Sequence, residues 1–172
     1  MKIGFIGLGR MGNPMVVNLL AAGSKMVIHD LTREEASNLE RQGAKWVDTV
    51  KEMGQLCDVV ITCLPGQQQV DALVLGENGL FSNLAEGAIY IDMSTTSVAA
   101  IQHLGQEGAR YGVRVMEAPL EGRIANAREA SLIMHAGGDD ELVGEMEATL
   151  QPLGEVRNEG ALGSGNNSLA AA

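Results

Sequence analysis

A chain of 172 residues is long enough to bury one substantial core and too short for two large domains. Its formal charge of −10 and isoelectric point near 4.7 argue against nucleic acid or a membrane surface as a partner, because both are anionic. The two cysteines, Cys57 and Cys63, have no metal-ligand spacing and read as free thiols; with no signal sequence and no apolar run near the ~20 residues of a membrane span, a cytoplasmic protein is expected.

Ile3, Phe5 and Ile6 begin a strand-forming run that passes straight into Gly7-Leu8-Gly9-Arg10-Met11-Gly12. Beyond it Met11, Met15, Val16, Leu19 and Leu20 recur at three- and four-residue steps, which predicts an amphipathic helix. A GxGxxG at a strand-to-helix hinge suits a dinucleotide pyrophosphate. Gly7 allows the tight turn, Gly9 lets the anion approach the backbone, Gly12 lets helix and strand pack closely, and the helix end presents free amides. On the glycines alone, a glycine-rich turn of some other α/β protein fits as well.

Residues 25–30 read as the second strand, ending in Asp30 about twenty residues beyond the glycines. A carboxylate there would accept hydrogen bonds from ribose hydroxyls and repel a 2′-phosphate, favouring NAD over NADP. The alternative is that Asp30 only begins a turn. Thr32 and Glu35 have the spacing of a capping box for a helix reaching Glu40. A short strand (43–47), a helix (49–55) and a strand apolar enough for burial on both faces (58–64) follow. Leu64 and Pro65, at that strand's carboxyl end, are candidates for the nicotinamide side.

Residues 67–75 read as a helix, 76–80 as a turn and 88–93 as the fifth strand. Ser94-Thr95-Thr96-Ser97 either caps the helix over 98–108 or hydrogen-bonds a ligand. After a sixth strand (113–117), residues 118–128 carry Pro119, Gly122, Arg123, Asn126 and Arg128 and read as a binding loop. A seventh strand (131–136), an acidic helix (139–150) capped by Asp139 or Asp140, and a last short strand (154–157) complete the pattern. Strands alternating with helices predict an α/β, Rossmann-type, doubly wound and mainly parallel sheet flanked by helices. His29, His103 and His135 show neither metal nor triad spacing and read as surface or packing residues.

Four separated segments resemble the β-hydroxyacid dehydrogenases, which include 3-hydroxyisobutyrate dehydrogenase, tartronate semialdehyde reductase and, more distantly, phosphogluconate dehydrogenase. They are residues 3–15, with Met11-Gly12-Asn13-Pro14-Met15 the most specific part, Leu64-Pro65, Gly76-Glu77-Asn78-Gly79-Leu80, and Ile91-Asp92-Met93-Ser94-Thr95. The resemblance implies that Leu64, Pro65, Gln69 and Thr95 contact the cofactor, and that the reaction exchanges a hydride between NAD and a 3-hydroxy acid or its semialdehyde. Leu31 stands where NADP-preferring members place an arginine, which again implies NAD. Ala118-Pro119-Leu120-Glu121-Gly122-Arg123 stands where the family has alanine, proline, valine, serine, glycine, glycine in its substrate loop. Ser94, Glu121, Gly122, Arg123 and Asn126 are therefore the candidate substrate residues. Glu121 would repel an anion unless it points away or pairs with Arg123 or Arg128. The Gly122-Arg123 and Asn126-Ala127 pairs also resemble sulfolactaldehyde reductases, in which an arginine would face a sulfonate.

Family members carry a catalytic lysine a few residues after a segment like 160–165, then a pair of asparagines and an all-helical second domain. This chain has no lysine after Lys51. Either Asn166 and Asn167 are the asparagine pair with the lysine-bearing turn missing, or Leu169 occupies the lysine position. The expectation is a dinucleotide-binding domain over 1–158 and a tail over 159–172 that begins an interdomain helix. It would bind NAD and a small hydroxy acid but no metal, with little activity as a truncated chain and homo-oligomerisation open. A stand-alone NAD-binding regulatory module is the alternative.

Overall fold

Strands and helices alternate from the first residues, and the computed structural model describes all 172 residues. Strand β1 (Lys2–Ile6) leads into helix α1 (Gly12–Ala21), strand β2 (Lys25–His29), a 3-10 turn (Arg33–Ala36) running into α2 (Ser37–Arg41), the two-residue β3 (Lys45–Trp46) and α3 (Val50–Leu56). Strand β4 (Val59–Thr62), α4 (Gln67–Val74), a single turn α5 (Leu80–Asn83), β5 (Ile89–Asp92) and α6 (Val98–Arg110) follow. The last third holds β6 (Arg114–Glu117), β7 (Leu120–Glu121), α7 (Ile124–Glu129), β8 (Leu132–Gly137), α8 (Asp140–Leu150), β9 (Gly154–Gly160) and α9 (Ser164–Ala171).

The nine strands form one sheet in the order β3-β2-β1-β4-β5-β6-β8-β7, with β9 beside β8. Every neighbouring pair from β3 to β6 is parallel. Strand β8 reverses, pairing antiparallel with β6 and β7, and β9 then runs parallel to it. The expected doubly wound sheet is thus present, with an antiparallel switch near one edge. Strand order changes direction between β1 and β4, which opens a crevice beyond their carboxyl ends.

Alternation along the strands divides the core in two. Val59 and Ile61 of β4 face the cluster that includes Met15, Val16 and Leu19 of α1 and Leu142, Val143 and Met146 of α8. Val60, between them, faces Met53, Val70, Phe81, Ile101 and Leu104 on the other side. Strands β4 and β5 are buried along their whole length, which is why they lack polar alternation.

Several local expectations change. Thr32 makes no side-chain cap, and the segment after it starts as a 3-10 turn, so the capping box is not formed. Working caps are instead Thr49 on α3, whose Oγ1 accepts from the Glu52 amide at 3.1 Å, and Ser97 on α6, whose hydroxyl accepts from the Ala100 amide at 3.1 Å. Asp139 occupies the N-cap of α8 without a side-chain bond. The 118–128 stretch is not one loop, because β7 pairs with β8 and α7 follows it. The last strand runs to Gly160 rather than Arg157, so position 159 lies inside an element paired with β8. No helix is long and apolar enough to cross a membrane.

Candidate cofactor and substrate cleft

The three glycines of the first turn differ in what a side chain would meet. At Gly7 the backbone has φ +105°, and a Cβ would lie 2.1 Å from the Cys63 carbonyl oxygen. At Gly12 a Cβ would lie 1.8 Å from the Gly7 carbonyl oxygen, so this glycine lets α1 start against the end of β1. A Cβ on Gly9 would meet nothing within 4 Å. Folding therefore requires Gly7 and Gly12, while Gly9 leaves open space beside the first turn of α1, where helical amides lack intrahelical partners.

Asp30 closes one side of this space. Its Oδ2 accepts from the Leu8 amide and its Oδ1 from the Leu31 amide, each at 2.6 Å. The carboxylate thus ties the end of β2 to the glycine turn and keeps further lone pairs for a hydroxyl-bearing ligand. Leu31 is 99% exposed and brings no cation to the position. A cleft of about 490 Å³ runs outward from here along α1, lined by Leu8, Gly9, Arg10, Asn13, Glu35 and Arg128 among others. Met11, at the start of α1, is half-buried against the core.

The other half of the crevice lies beyond β4 and β5. The Leu64 amide donates to Ser94 Oγ at 2.9 Å, and the Ser94 amide donates to Asp92 Oδ1 at 2.9 Å. Thr62 donates its hydroxyl to the same Asp92 oxygen at 3.1 Å, so the Tyr90 hydroxyl, 2.6 Å from Thr62 Oγ1, must be the donor in that contact. Burial pushes the Asp92 carboxyl up to about 6, opposed by the hydrogen bonds from Ser94 and Thr62 and helped by the nearby Glu117 charge. Its Oδ2 is buried with no partner. Burial, then the Asp92 charge, pushes the Cys63 thiol up to about 12. The Leu64 side chain comes within 3.3 Å of where a Gly7 Cβ would stand, which joins the two halves. Pro65, Gln69 and Thr95 are exposed beside them, whereas Ser94 is buried and spends its oxygen on Leu64.

The candidate substrate residues divide. Glu121 does not pair with Arg123 or Arg128; its Oε2 lies 2.7 Å from His135 Nε2, and His135 Nδ1 lies 2.7 Å from Glu159 Oε1. The His135 side chain is 4% exposed. A neutral imidazole has one N–H, so the two contacts together need a doubly protonated ring or a protonated carboxyl. His135 is thus neither free surface nor apolar packing. Asn126 accepts from the Arg123 amide at 2.9 Å and donates to Ser131 Oγ at 3.1 Å, which fastens the start of α7. Arg123 and Gly122 are exposed, and Arg123 forms no ion pair.

Two further carboxylates escaped the sequence reading. Glu117, fully buried at the end of β6, accepts from the amides of Gly163, Gly165 and Asn166 at 2.6, 2.8 and 3.0 Å and from the Asn166 side chain. Asn166 Oδ1 in turn accepts from the Thr96 amide at 3.0 Å, which fixes α9 beside the Ser94–Ser97 turn. Glu159 is the second partner of His135. Only strand alternation could have pointed to them: with Leu132, Met134 and Ala136 in the core, His135 must face the other way.

The protein family described as the NAD binding domain of 6-phosphogluconate dehydrogenase matches residues 2–163. A probable 3-hydroxyisobutyrate dehydrogenase-like protein of Arabidopsis thaliana is 33% identical over 166 residues, covering 96% of this chain and 56% of that protein. An NAD-dependent L-serine dehydrogenase of Pseudomonas aeruginosa is 32% identical over 177 residues, covering 99% of this chain and 59% of that one. The solved structure of Mycobacterium tuberculosis 3-hydroxyisobutyrate dehydrogenase with L-serine superposes with a TM-score of 0.92 at 28% identity, over 99% of this chain and 58% of that chain. The chain therefore spans a little over half the length of these relatives.

Proposed function

Because the chain belongs to the family of NAD-binding domains represented in 6-phosphogluconate dehydrogenase, we propose that it is the cofactor-binding part of an NAD-dependent oxidoreductase for a 3-hydroxy acid and its semialdehyde. The observation that carries this reading is the Asp30 carboxylate bound to the Leu8 amide beside the open space at Gly9, with exposed Leu31 next to it. When bound, the dinucleotide supplies the hydride acceptor or donor. The amides of Gly9, Arg10 and Met11 hold its pyrophosphate at the positive end of α1. Asp30 accepts from the ribose hydroxyls and disfavours a 2′-phosphate by like-charge repulsion. Leu64, Pro65, Gln69 and Thr95 line the nicotinamide side, with Leu64 fixed by Ser94 and Ser94 by Asp92.

On the substrate side, Arg123 and the Gly122 amide are the groups that attract an anion, while Glu121 is turned onto His135. An unpaired guanidinium also favours a second reading within the same family, a sulfonate-bearing semialdehyde, since Arg binds strong oxyanions through a planar fork. The chain has no lysine after Lys51 to move a proton at the carbonyl oxygen. Binding without turnover is therefore expected of this chain alone.

The test is a fluorescence titration with NADH and NADPH, followed by an assay of 3-hydroxyisobutyrate oxidation. Saturable NADH binding, at least about tenfold tighter than NADPH, is expected from one lost charge contact in a partly exposed site. A chain that prefers NADPH, or binds neither, overturns the reading.

A further inference from the structure

Helix α7 is fastened to α1 one residue before Arg128. The Asn18 side-chain amide donates to the Ala127 carbonyl at 2.8 Å, and Ala127 itself is fully buried. Asn18 lies in the second half of α1, and Arg128 lines a cleft that runs from there past Val17, Pro14 and Asn13 to Arg10 and Gly9. Neither Arg10 nor Arg128 has a hydrogen-bonding or ion-pair partner, although the chain carries 22 acidic residues against 12 basic ones and its other guanidinium pairs engage Arg33, Arg110, Arg114 and Arg157. Glu35 lines the cleft as well, its carbonyl accepting from the Asn13 side chain and its carboxylate pairing with neither Arg10 nor Arg128. Two unpaired guanidiniums on one cleft repel each other and are relieved by an anion between them.

We propose that Arg128 is a cofactor-binding residue, whose guanidinium joins Arg10 on the pyrophosphate of a dinucleotide lying across Gly9. The proposal rests on the NAD reading above. It supplies what an amide cradle alone lacks in a protein of charge −10: full positive charge at the anion, presented by a helix 118 residues from Arg10 in the chain. Guanidinium suits the task because it engages two phosphate oxygens at once.

The experiment compares NADH, ADP-ribose and adenosine binding to the full chain and to Arg128→Ala, Arg128→Lys and Arg128→Glu, with adenosine followed through the Leu8 amide resonance. Failure of the unsubstituted chain to bind NADH sinks the cofactor reading itself. Given that binding, Arg128→Ala should weaken NADH and ADP-ribose about tenfold, the scale of one charged hydrogen bond, while adenosine affinity and melting temperature stay unchanged because Arg128 is exposed. Arg128→Lys should recover part of the loss and Arg128→Glu should deepen it. NADH affinity within twofold of the unsubstituted chain in Arg128→Ala, or an equal loss for adenosine, overturns the proposal.

Discussion

Replacing Asp92 by asparagine should make the protein relatively more stable at neutral pH and leave it little changed at pH 4. Asp92 is wholly buried, with Oδ1 accepting from the Ser94 amide and the Thr62 hydroxyl and Oδ2 accepting from nothing. Its folded value is about 6 against an ordinary 3.8. Between these two values the folded protein keeps a proton that the unfolded chain has released. Stability due to this group is therefore fully present below pH 3.8 and is lost as pH rises through about 6. At about 1.4 kcal/mol per pH unit the difference is at most roughly 3 kcal/mol. Asparagine keeps the acceptor oxygen at the position of Oδ1 and cannot ionise, so it should escape that loss. Urea unfolding of both proteins at pH 4, 5, 6 and 7, followed by circular dichroism, reads the contribution of this group as the pH dependence of the difference between them. A stability difference that does not change with pH would refute the reasoning.

The glycines make a paired prediction. Gly12→Ala should lower stability by about 1–3 kcal/mol, the usual cost of forcing extra volume against fixed backbone, whereas Gly9→Ala should melt normally and lose NADH affinity; equal melting temperatures would show that the close approach to the Gly7 carbonyl is tolerated. Glu117→Gln puts an amide donor among the four donors that Glu117 now accepts. It should cost about 1–3 kcal/mol and speed hydrogen exchange in α9 more than in β4, and unchanged protection of α9 would count against the anchor. Cys57 and Cys63, both pushed up to about 12 chiefly by burial, should react with a thiol reagent at pH 8 only after unfolding, and prompt labelling of the native chain would contradict this.

What could be read along the chain was what depends on neighbours in sequence. The hinge at Gly7–Gly12, the acid ending β2 and the continuous apolar runs of β4 and β5 are local signals, and the parallel order through β6 follows from them. The capping box at Thr32 failed because a box needs a helical first turn, and this segment starts as a 3-10 turn in which the Glu35 amide donates to the Thr32 carbonyl at 3.2 Å instead. The 118–128 region was misread because Pro119 and Gly122 look like loop residues, while the pairing that orders them, Leu120 with Met134 and Glu121 with Ile133, comes from a strand not yet reached. His135 with Glu121 and Glu159, Glu117 with α9, and Arg128 with the α1 cleft are all contacts between distant segments, and charge at one position says nothing of its partner at another.

Those distant contacts answer how a chain this acidic can hold an anionic ligand. Four carboxylates on or beside the end of the sheet that carries the cleft are engaged within the chain, Asp30 by the Leu8 and Leu31 amides, Asp92 by Ser94 and Thr62, Glu117 by the start of α9, and Glu121 by His135, while Glu35, which lines the cleft, makes no side-chain bond. A hydrogen-bonded carboxylate presents its field mainly to its donors, whereas an unpaired guanidinium presents its field to the cleft. Arg10 and Arg128 on the proposed dinucleotide side and Arg123 on the proposed substrate side carry no such partner. Local charge at the crevice is therefore weighted by three unpaired arginines against the Glu35 and Asp30 carboxylates, and differs from the sum over the chain. Removing a carboxylate's donors should weaken anion binding even where no ligand is touched, which makes His135→Gln, by freeing Glu121, a variant expected to bind a substrate anion less well while its NADH affinity is retained.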